Sequence, residues 1–460
     1  MTAPPPDKSL PVHFVGIAGA GMSALAELYV RRGFTVTGCD TNAAPVGDLE
    51  RLGIRVLEGH DPAHVDGVAE VVVTSAVRKN HPELERARAL GIPVTRRAEA
   101  LGRAVSGGEL VGVAGTHGKT TTTVMTTQAL ASAGLEPTGI VGGRVGAWNG
   151  NLSEGGDKLF VVEADEYDRS FHALAPTVAV VTNMEADHLD IYPGGLDEIR
   201  DAFAQYIRDA RVIVLCADDT GATSLPTPST AEVIRYGVNS GEARLTAIDI
   251  LGENGGTRFT CVYDGETLGD LRLSVPGLHN VRNSLAAIAS GLALGRNLDG
   301  MRAGLESFTG VERRFQRIGE VNGVMIVDDY AHHPTEIEAT LEAARSAFPD
   351  RRIIAAFQPH LYTRTRDFHR EFAKALSYTD VAFLADLYPA REQPIDGVSS
   401  EMIASPMRDS GHAPLWEGPR TELAAALERV VASGDVVITI GAGDITRTGP
   451  ELKALLEQKR

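Results

Sequence analysis

The sequence predicts an α/β protein of three domains: a Rossmann-like N-terminal domain, a central P-loop ATPase-like domain and a C-terminal Rossmann-like domain. Three observations predict it. Short apolar runs alternate with helical stretches three times along the chain, the pattern of parallel sheets covered by helices. Two strand-to-helix turns, GIAGAGMSA and AGTHGKTTT, are rich in glycine, as phosphate-binding turns are. At 460 residues the chain is also too long for one ordinary core.

The first block, 1–106, opens on a strand over 12–17, followed by the glycine turn, a helix over 24–32 and a strand over 34–40. Strands over 71–75 and near Pro93 complete it, and Ser106-Gly107-Gly108 marks its boundary. The second block, 107–311, has a strand over 110–115, the second glycine turn, a helix over 119–133, and strands over 159–164 and 178–183. The stretch from 213 to about 273 is rich in short strands and turns and reads as an antiparallel insertion or an extra sheet. An alanine-rich helix over 279–294 closes this block. The third, 312–460, holds strands over 324–329, 352–357, 381–386 and 436–441.

Composition narrows the function. A formal net charge of −17 repels phosphate backbones and anionic membrane surfaces, so neither nucleic acid nor membrane is an expected partner. Cys39, Cys216 and Cys261 lie far apart and form no CxxC pair, which excludes a disulfide framework or zinc ribbon built from spacing. No apolar run reaches membrane-spanning length, and MTAPPPDKSL reads as a loose tail without a signal-peptide core. A cytoplasmic location is expected.

The strongest motif is GTHGKTTT. Its glycines let backbone N–H groups converge on phosphate oxygens, Lys119 reaches the terminal phosphates, and Thr120 offers a hydroxyl to Mg²⁺. Val113 stands where the strict pattern has its first glycine. Downstream, two apolar strands end in acids: LFVVEADEYD places Glu163 and Asp165 on one strand face, and VAVVTNMEADHLD ends in Asp187 and His188. Thr120, Glu163 and a neutral His188 make a magnesium shell, although histidine is an unusual ligand for so hard a cation.

In GIAGAGMSA, Gly19, Gly21 and Ala24 satisfy G-x-G-x-x-[G/A], with Asp40 downstream. Alone, this turn predicts a dinucleotide dehydrogenase, but a helix N-terminus with two glycines binds the diphosphate of any nucleotide. Such an enzyme leaves GTHGKTTT and its acids unexplained, and a non-catalytic nucleotide-binding regulator has no need for Glu163 and His188 beside Lys119. In the third block Asp329, His332, His333, Arg364 and Arg366 follow strands, where doubly wound sheets bind ligands. Arg313 and Arg314 at the block boundary suit an arginine-finger role.

Together GIAGAGMS, GTHGKTTT, EADE, NMEADHLD, GLHNVRNSLAA, RRFQRIG and DDYAHHPTEI resemble the signatures of the Mur ligases, over nearly the whole chain. In that resemblance the Val113 departure is the family's own form of the loop. It implies ATP bound by Gly115, Thr116, His117, Gly118, Lys119, Thr120 and Thr121, with Asn280 and Asn283 toward adenine and Arg314 and Asp329 near the phosphates. It implies Mg²⁺ on Thr120, Glu163 and His188, and a UDP-sugar held by Gly19, Ala20, Gly21, Met22, Ser23, Asp40, Ser75 and Ala76. Lys119, His332 and Arg364 are the implied catalytic residues, the last two orienting the incoming amino acid. The implied substrates are UDP-N-acetylmuramate and L-alanine, joined in peptidoglycan precursor synthesis by a monomer or weak homodimer. Two departures stand out. Phe203 aligns with the carbamylated lysine of some sister ligases, so none is expected, and Leu361 replaces an arginine of some members, which leaves that contact to Arg364 or Arg366.

Overall fold

The structure is a computed structural model that describes residues 6–41, 47–189, 191–253, 255–390 and 392–459. The first five residues of the expected tail lie outside them. Two compact units are present: Met1–Asp249 with Phe259–Leu271 and Arg282–Phe308, and Ile250–Arg258 with Arg272–Val281 and Thr309–Arg460. Among the described residues no helix is long and apolar enough to cross a membrane.

Among the described residues three sheets carry the chain, in line with the α/β expectation. The N-terminal sheet is parallel throughout, in the spatial order Arg55–Glu58, Val36–Asp40, Val12–Val15, Glu70–Val73, Val94–Arg96. Its first strand is buried on both faces, which explains why VHFV reads as a continuous apolar run. The order reverses beside Val12–Val15, so the turns after that strand and after Glu70–Val73 open onto one crevice.

The central sheet has ten strands, with Glu109–Ala114 between Val178–Val181 and Leu159–Glu163. The stretch from 213 to 273 is not an extra sheet. Val212–Cys216 pairs in parallel with Val178–Val181, Glu232–Gly237 pairs with it in turn, and the run continues the same sheet. Turn-rich local sequence does not reveal which edge a strand will join. Phe203, in the helix Leu196–Ile207, is fully buried with its ring edge-on to Phe171, 5.2 Å between centroids.

In the C-terminal sheet Val324–Asp329, Val436–Ile440 and Ile353–Phe357 lie side by side and parallel. Asp329 and Phe357 both stand opposite Ile440, so the loops that follow them leave at one level.

Candidate active site

The phosphate-type loop is built by register. Val113 is opposite Glu163 and Ala114 opposite Val181, so the loop from Gly115 emerges between the carboxyl ends of two neighbouring strands. Gly115 has φ +140°, and a Cβ there would overlap Thr182 Oγ1. Gly118 has φ +81°, and its Cβ would lie 2.7 Å from Asn283 Oδ1. Only glycine takes both positions without strain. Asn183 fixes the loop: its Oδ1 accepts from His117 N at 2.7 Å, while its Nδ2 donates to His117 O at 3.0 Å. The helix Lys119–Ser132 then starts, and the amides of its first turn have no carbonyl four residues back to bond.

Lys119 is 14% exposed, and its Nζ lies 2.9 Å from Glu166, also donating to Gly115 O at 2.6 Å. Burial works to lower the Lys119 pKa, but Glu166 and Asp165 outweigh it and the ammonium form is favoured. Burial pushes the Glu166 carboxyl up to about 7 against the pull of Lys119. Thr120 Oγ1 donates to Glu163 Oε1 at 3.0 Å, and the other Glu163 oxygen accepts from Gly142 N at 2.7 Å. His188, at φ +54°, brings Nε2 to 3.9 Å from Glu166 Oε1 and packs edge-on to Tyr167. A hydroxyl and carboxylates around a lysine suit a hard cation bridging phosphate oxygens. Asp165 is instead occupied in capping Tyr167 N at 3.1 Å. Asn283 joins this group, its Oδ1 accepting from Thr122 Oγ1 at 3.1 Å.

The second unit gathers a separate constellation. Asp329, 6% exposed, accepts from Phe315 N at 2.7 Å and Ala331 N at 2.8 Å. Arg314 reaches Glu336 at 3.3 Å and lies over the Tyr330 ring. Arg313 is committed to the frame: Nη2 donates to Gly441 O at 2.6 Å and Nε lies 3.4 Å from buried Asp328. His332 Nδ1 sits 3.0 Å from Tyr330 O, and its backbone N donates to Glu336 at 3.0 Å. His333 stands at the N-cap position of the helix Pro334–Ala347, where its backbone N donates to Glu336 at 3.3 Å. The His332 and His360 rings are 6.0 Å apart. Leu361 begins the helix Tyr362–Leu376 at φ +71° and ψ 138°, a conformation that is nearly glycine-only. Arg364 is buried in that helix's first turn, whereas Arg366 is exposed and paired with Asp367 at 2.7 Å. Asn280 donates to Pro276 O at 2.7 Å.

At the N-terminal turn Gly19 caps the helix Ala20–Arg31, and Asp40 Oδ2 accepts from Ala18 N at 3.1 Å. Ser23 Oγ bonds Ala20 O at 2.9 Å, and Met22 is buried in the core, leaving its backbone at the turn. Ser75 and Ala76 are exposed across the crevice. A Cβ on Gly21 would come within 2.9 Å of Arg97 Nη1. A cavity of about 300 Å³ beside it is lined by Ser75, Arg96, Arg97, Arg169 and His172 among others.

Family models for a "Mur ligase family, catalytic domain", a "Mur ligase middle domain" and a "Mur ligase, glutamate ligase domain" match residues 11–108, 113–291 and 313–443. The chain belongs to the Mur ligase family. It is 45% identical to the UDP-N-acetylmuramate–L-alanine ligase of Salinibacter ruber, over 97% of this chain and 95% of that one. It is 42% identical to the ligase of the same name from Geotalea daltonii, over 97% and 98%. The solved UDP-N-acetylmuramate-alanine ligase of Thermotoga maritima superposes with a TM-score of 0.83 at 30% identity, covering 98% of this chain and all of that one.

Sequence reasoning had missed several residues of this Mur ligase. Glu166, Asn183 and Thr182 hold the loop; Glu166 is the last letter of EADE and Asn183 the first of NMEADHLD, while Thr182 has no such signal. Glu336 lies within DDYAHHPTEI and accepts from the neighbouring His332 N, whereas Arg97, which meets Gly21 from far along the chain, has no sequence signal.

Asp329 gives this Mur ligase a pH signature. Burial raises its carboxyl from 3.8 to about 6, opposed by Arg314 and two amides. Because the folded state holds the proton more tightly, the stabilisation is full below about 4 and is lost as pH rises through about 6. That rise corresponds to about 3 kcal/mol. Denaturant midpoints measured across that window should fall less with pH in Asp329→Asn than in the parent; equal slopes would refute it.

Proposed function

We propose that this chain joins L-alanine to the lactoyl carboxylate of UDP-N-acetylmuramate at the expense of ATP, in the cytoplasm. The products are UDP-N-acetylmuramoyl-L-alanine, ADP and phosphate, in peptidoglycan precursor synthesis. The observation that carries this reading is the pairing of the Lys119–Glu166 and Thr120–Glu163 contacts in one loop with end-to-end likeness to relatives of that name.

A carboxylate is a poor electrophile in water, so the substrate carboxylate first attacks the γ-phosphate of ATP. The acyl phosphate formed is then attacked by the alanine amine, and phosphate leaves from a tetrahedral intermediate. Lys119 and Arg314 stabilise charge spreading over the transferring phosphoryl group. Thr120, Glu163 and His188 would hold Mg²⁺, which when bound neutralises phosphate charge. Glu166 keeps the Lys119 ammonium aimed at the loop mouth. Asn280 and Asn283 serve the adenine side, and Asp329 fixes the backbone beside Arg314 through Phe315 N. Arg364, buried in the first turn of the helix Tyr362–Leu376, orients the amino-acid carboxylate. His332 is the base for the amine: a proton on Nδ1 is donated to Tyr330 O, which makes Nε2 the basic nitrogen. The turn Gly19–Ser23 holds the UDP diphosphate, with Asp40, Ser75 and Ala76 completing that pocket.

The direct test supplies purified protein with ATP, Mg²⁺, UDP-N-acetylmuramate and single amino acids, and follows phosphate release. Release should require both the UDP-sugar and L-alanine. Release indifferent to the UDP-sugar would sink the ligase reading, whereas release with glycine or D-glutamate but not L-alanine would sink only the acceptor assignment.

Gly118→Ala should raise the KM for ATP about tenfold, because a left-handed alanine costs about 1–2 kcal/mol and its Cβ crowds Asn283. An unchanged KM would show that the loop relaxes at no cost.

A further inference from the structure

A cluster of soft and borderline ligands sits in the N-terminal sheet, apart from every residue assigned above. His13 comes from the first strand, Cys39 from Val36–Asp40, and His64 from the short helix Pro62–Val65. Glu83 comes from the start of the helix Pro82–Ala89. Glu83 is fully buried, and its ion-pair partners among the described residues are all histidines. A buried carboxylate with no lysine or arginine is costly unless something cationic compensates it.

The distances converge on one point. His64 Nδ1 is 2.9 Å from Glu83 Oε1, and Cys39 Sγ is 3.2 and 3.1 Å from the two Glu83 oxygens. His13 closes the group, with all four ligand atoms within 4.8 Å of one another. His13 is fully buried, its Nδ1 is engaged with Thr37 Oγ1 at 2.9 Å, and its Nε2 is buried with no hydrogen-bond partner. A histidine held at one ring nitrogen and orphaned at the other has the arrangement of a metal ligand with its outer hydrogen bond in place. Tetrahedral zinc, with bonds of about 2.0–2.3 Å, needs ligand atoms roughly 3.3–3.8 Å apart, within reach of small rotamer shifts here. His60 Nδ1 and His81 Nδ1 stand 3.7 and 4.0 Å from the second Glu83 oxygen.

We propose that His13, Cys39, His64 and Glu83 form a binding site for one divalent transition metal of the Zn²⁺ class, tying two strands to the helix Pro82–Ala89. The thiol and imidazoles disfavour Mg²⁺, so the site is chemically distinct from the cation site of the phosphate loop. Binding releases the Cys39 thiol proton and couples metal to the stability of this domain.

The test uses the full chain, stripped with a chelator and titrated with Co²⁺ in excess Mg²⁺. A thiolate-to-cobalt charge-transfer band should appear in the near ultraviolet, saturate at a single equivalent and vanish on adding Zn²⁺. Zn²⁺ should also raise the thermal midpoint. Cys39→Ser should abolish the band, and His64→Gln should weaken Co²⁺ binding on the order of 10- to 100-fold. The band should survive in Cys216→Ser/Cys261→Ser, whose cysteines lie buried in the central sheet, so the assignment holds even if Cys39→Ser folds poorly. No band in the parent protein, or its loss in the double variant, overturns the proposal.

Discussion

Lys119→Ala is expected to lower kcat on the order of 10³-fold while UDP-sugar affinity is unchanged. The ammonium sits inside the loop mouth, 2.6 Å from Gly115 O and 2.9 Å from Glu166. Removing it also removes what holds the Glu166 carboxyl down against burial. That carboxyl, already near 7, should then take up a proton at neutral pH instead of remaining a bare buried charge. The variant should therefore fold, and Lys119→Ala/Glu166→Gln should be no less stable than the single variant. Calorimetric titration with UDP-N-acetylmuramate and single-turnover phosphate release check the two halves. Loss of UDP-sugar affinity would count against separate sites.

The second large effect is expected at Glu163. Glu163→Gln preserves size and a carbonyl oxygen for Thr120 Oγ1 or Gly142 N, but removes the charge that a divalent cation needs. The Mg²⁺ concentration for half-maximal activity should rise about 10- to 100-fold, with a smaller change in the KM for L-alanine. A Mg²⁺ titration at saturating substrates reads this. An equal fall in kcat at every Mg²⁺ concentration would instead make Glu163 a structural brace of the loop.

Much of the fold was legible because its strands are apolar runs that can be buried on both faces, and because phosphate-type loops need glycine at stated positions. VMIVDD was placed residue for residue at Val324–Asp329, and the helix after Lys119 within one residue of its end. The stretch from 213 to 273 was misread because the choice between continuing a sheet and starting another is made by the partner strand. Without the family resemblance, Arg313 and Arg314 are equivalent in sequence. Tertiary contacts separated them, by giving Arg313 the carbonyl of Gly441 and Arg314 the carboxylate of Glu336.

The sequence by itself determined the α/β class, the Mur ligase family and the phosphate-type loop at Gly115–Thr121, since glycine, lysine and threonine at fixed spacing are local requirements of the backbone. Only the tertiary structure decided that Glu166 holds Lys119 and that Asn183 clamps the loop. It alone brought His13, Cys39, His64 and Glu83 to one point. Those contacts join residues tens of positions apart, and parallel register, which single residues do not encode, is what aligns them.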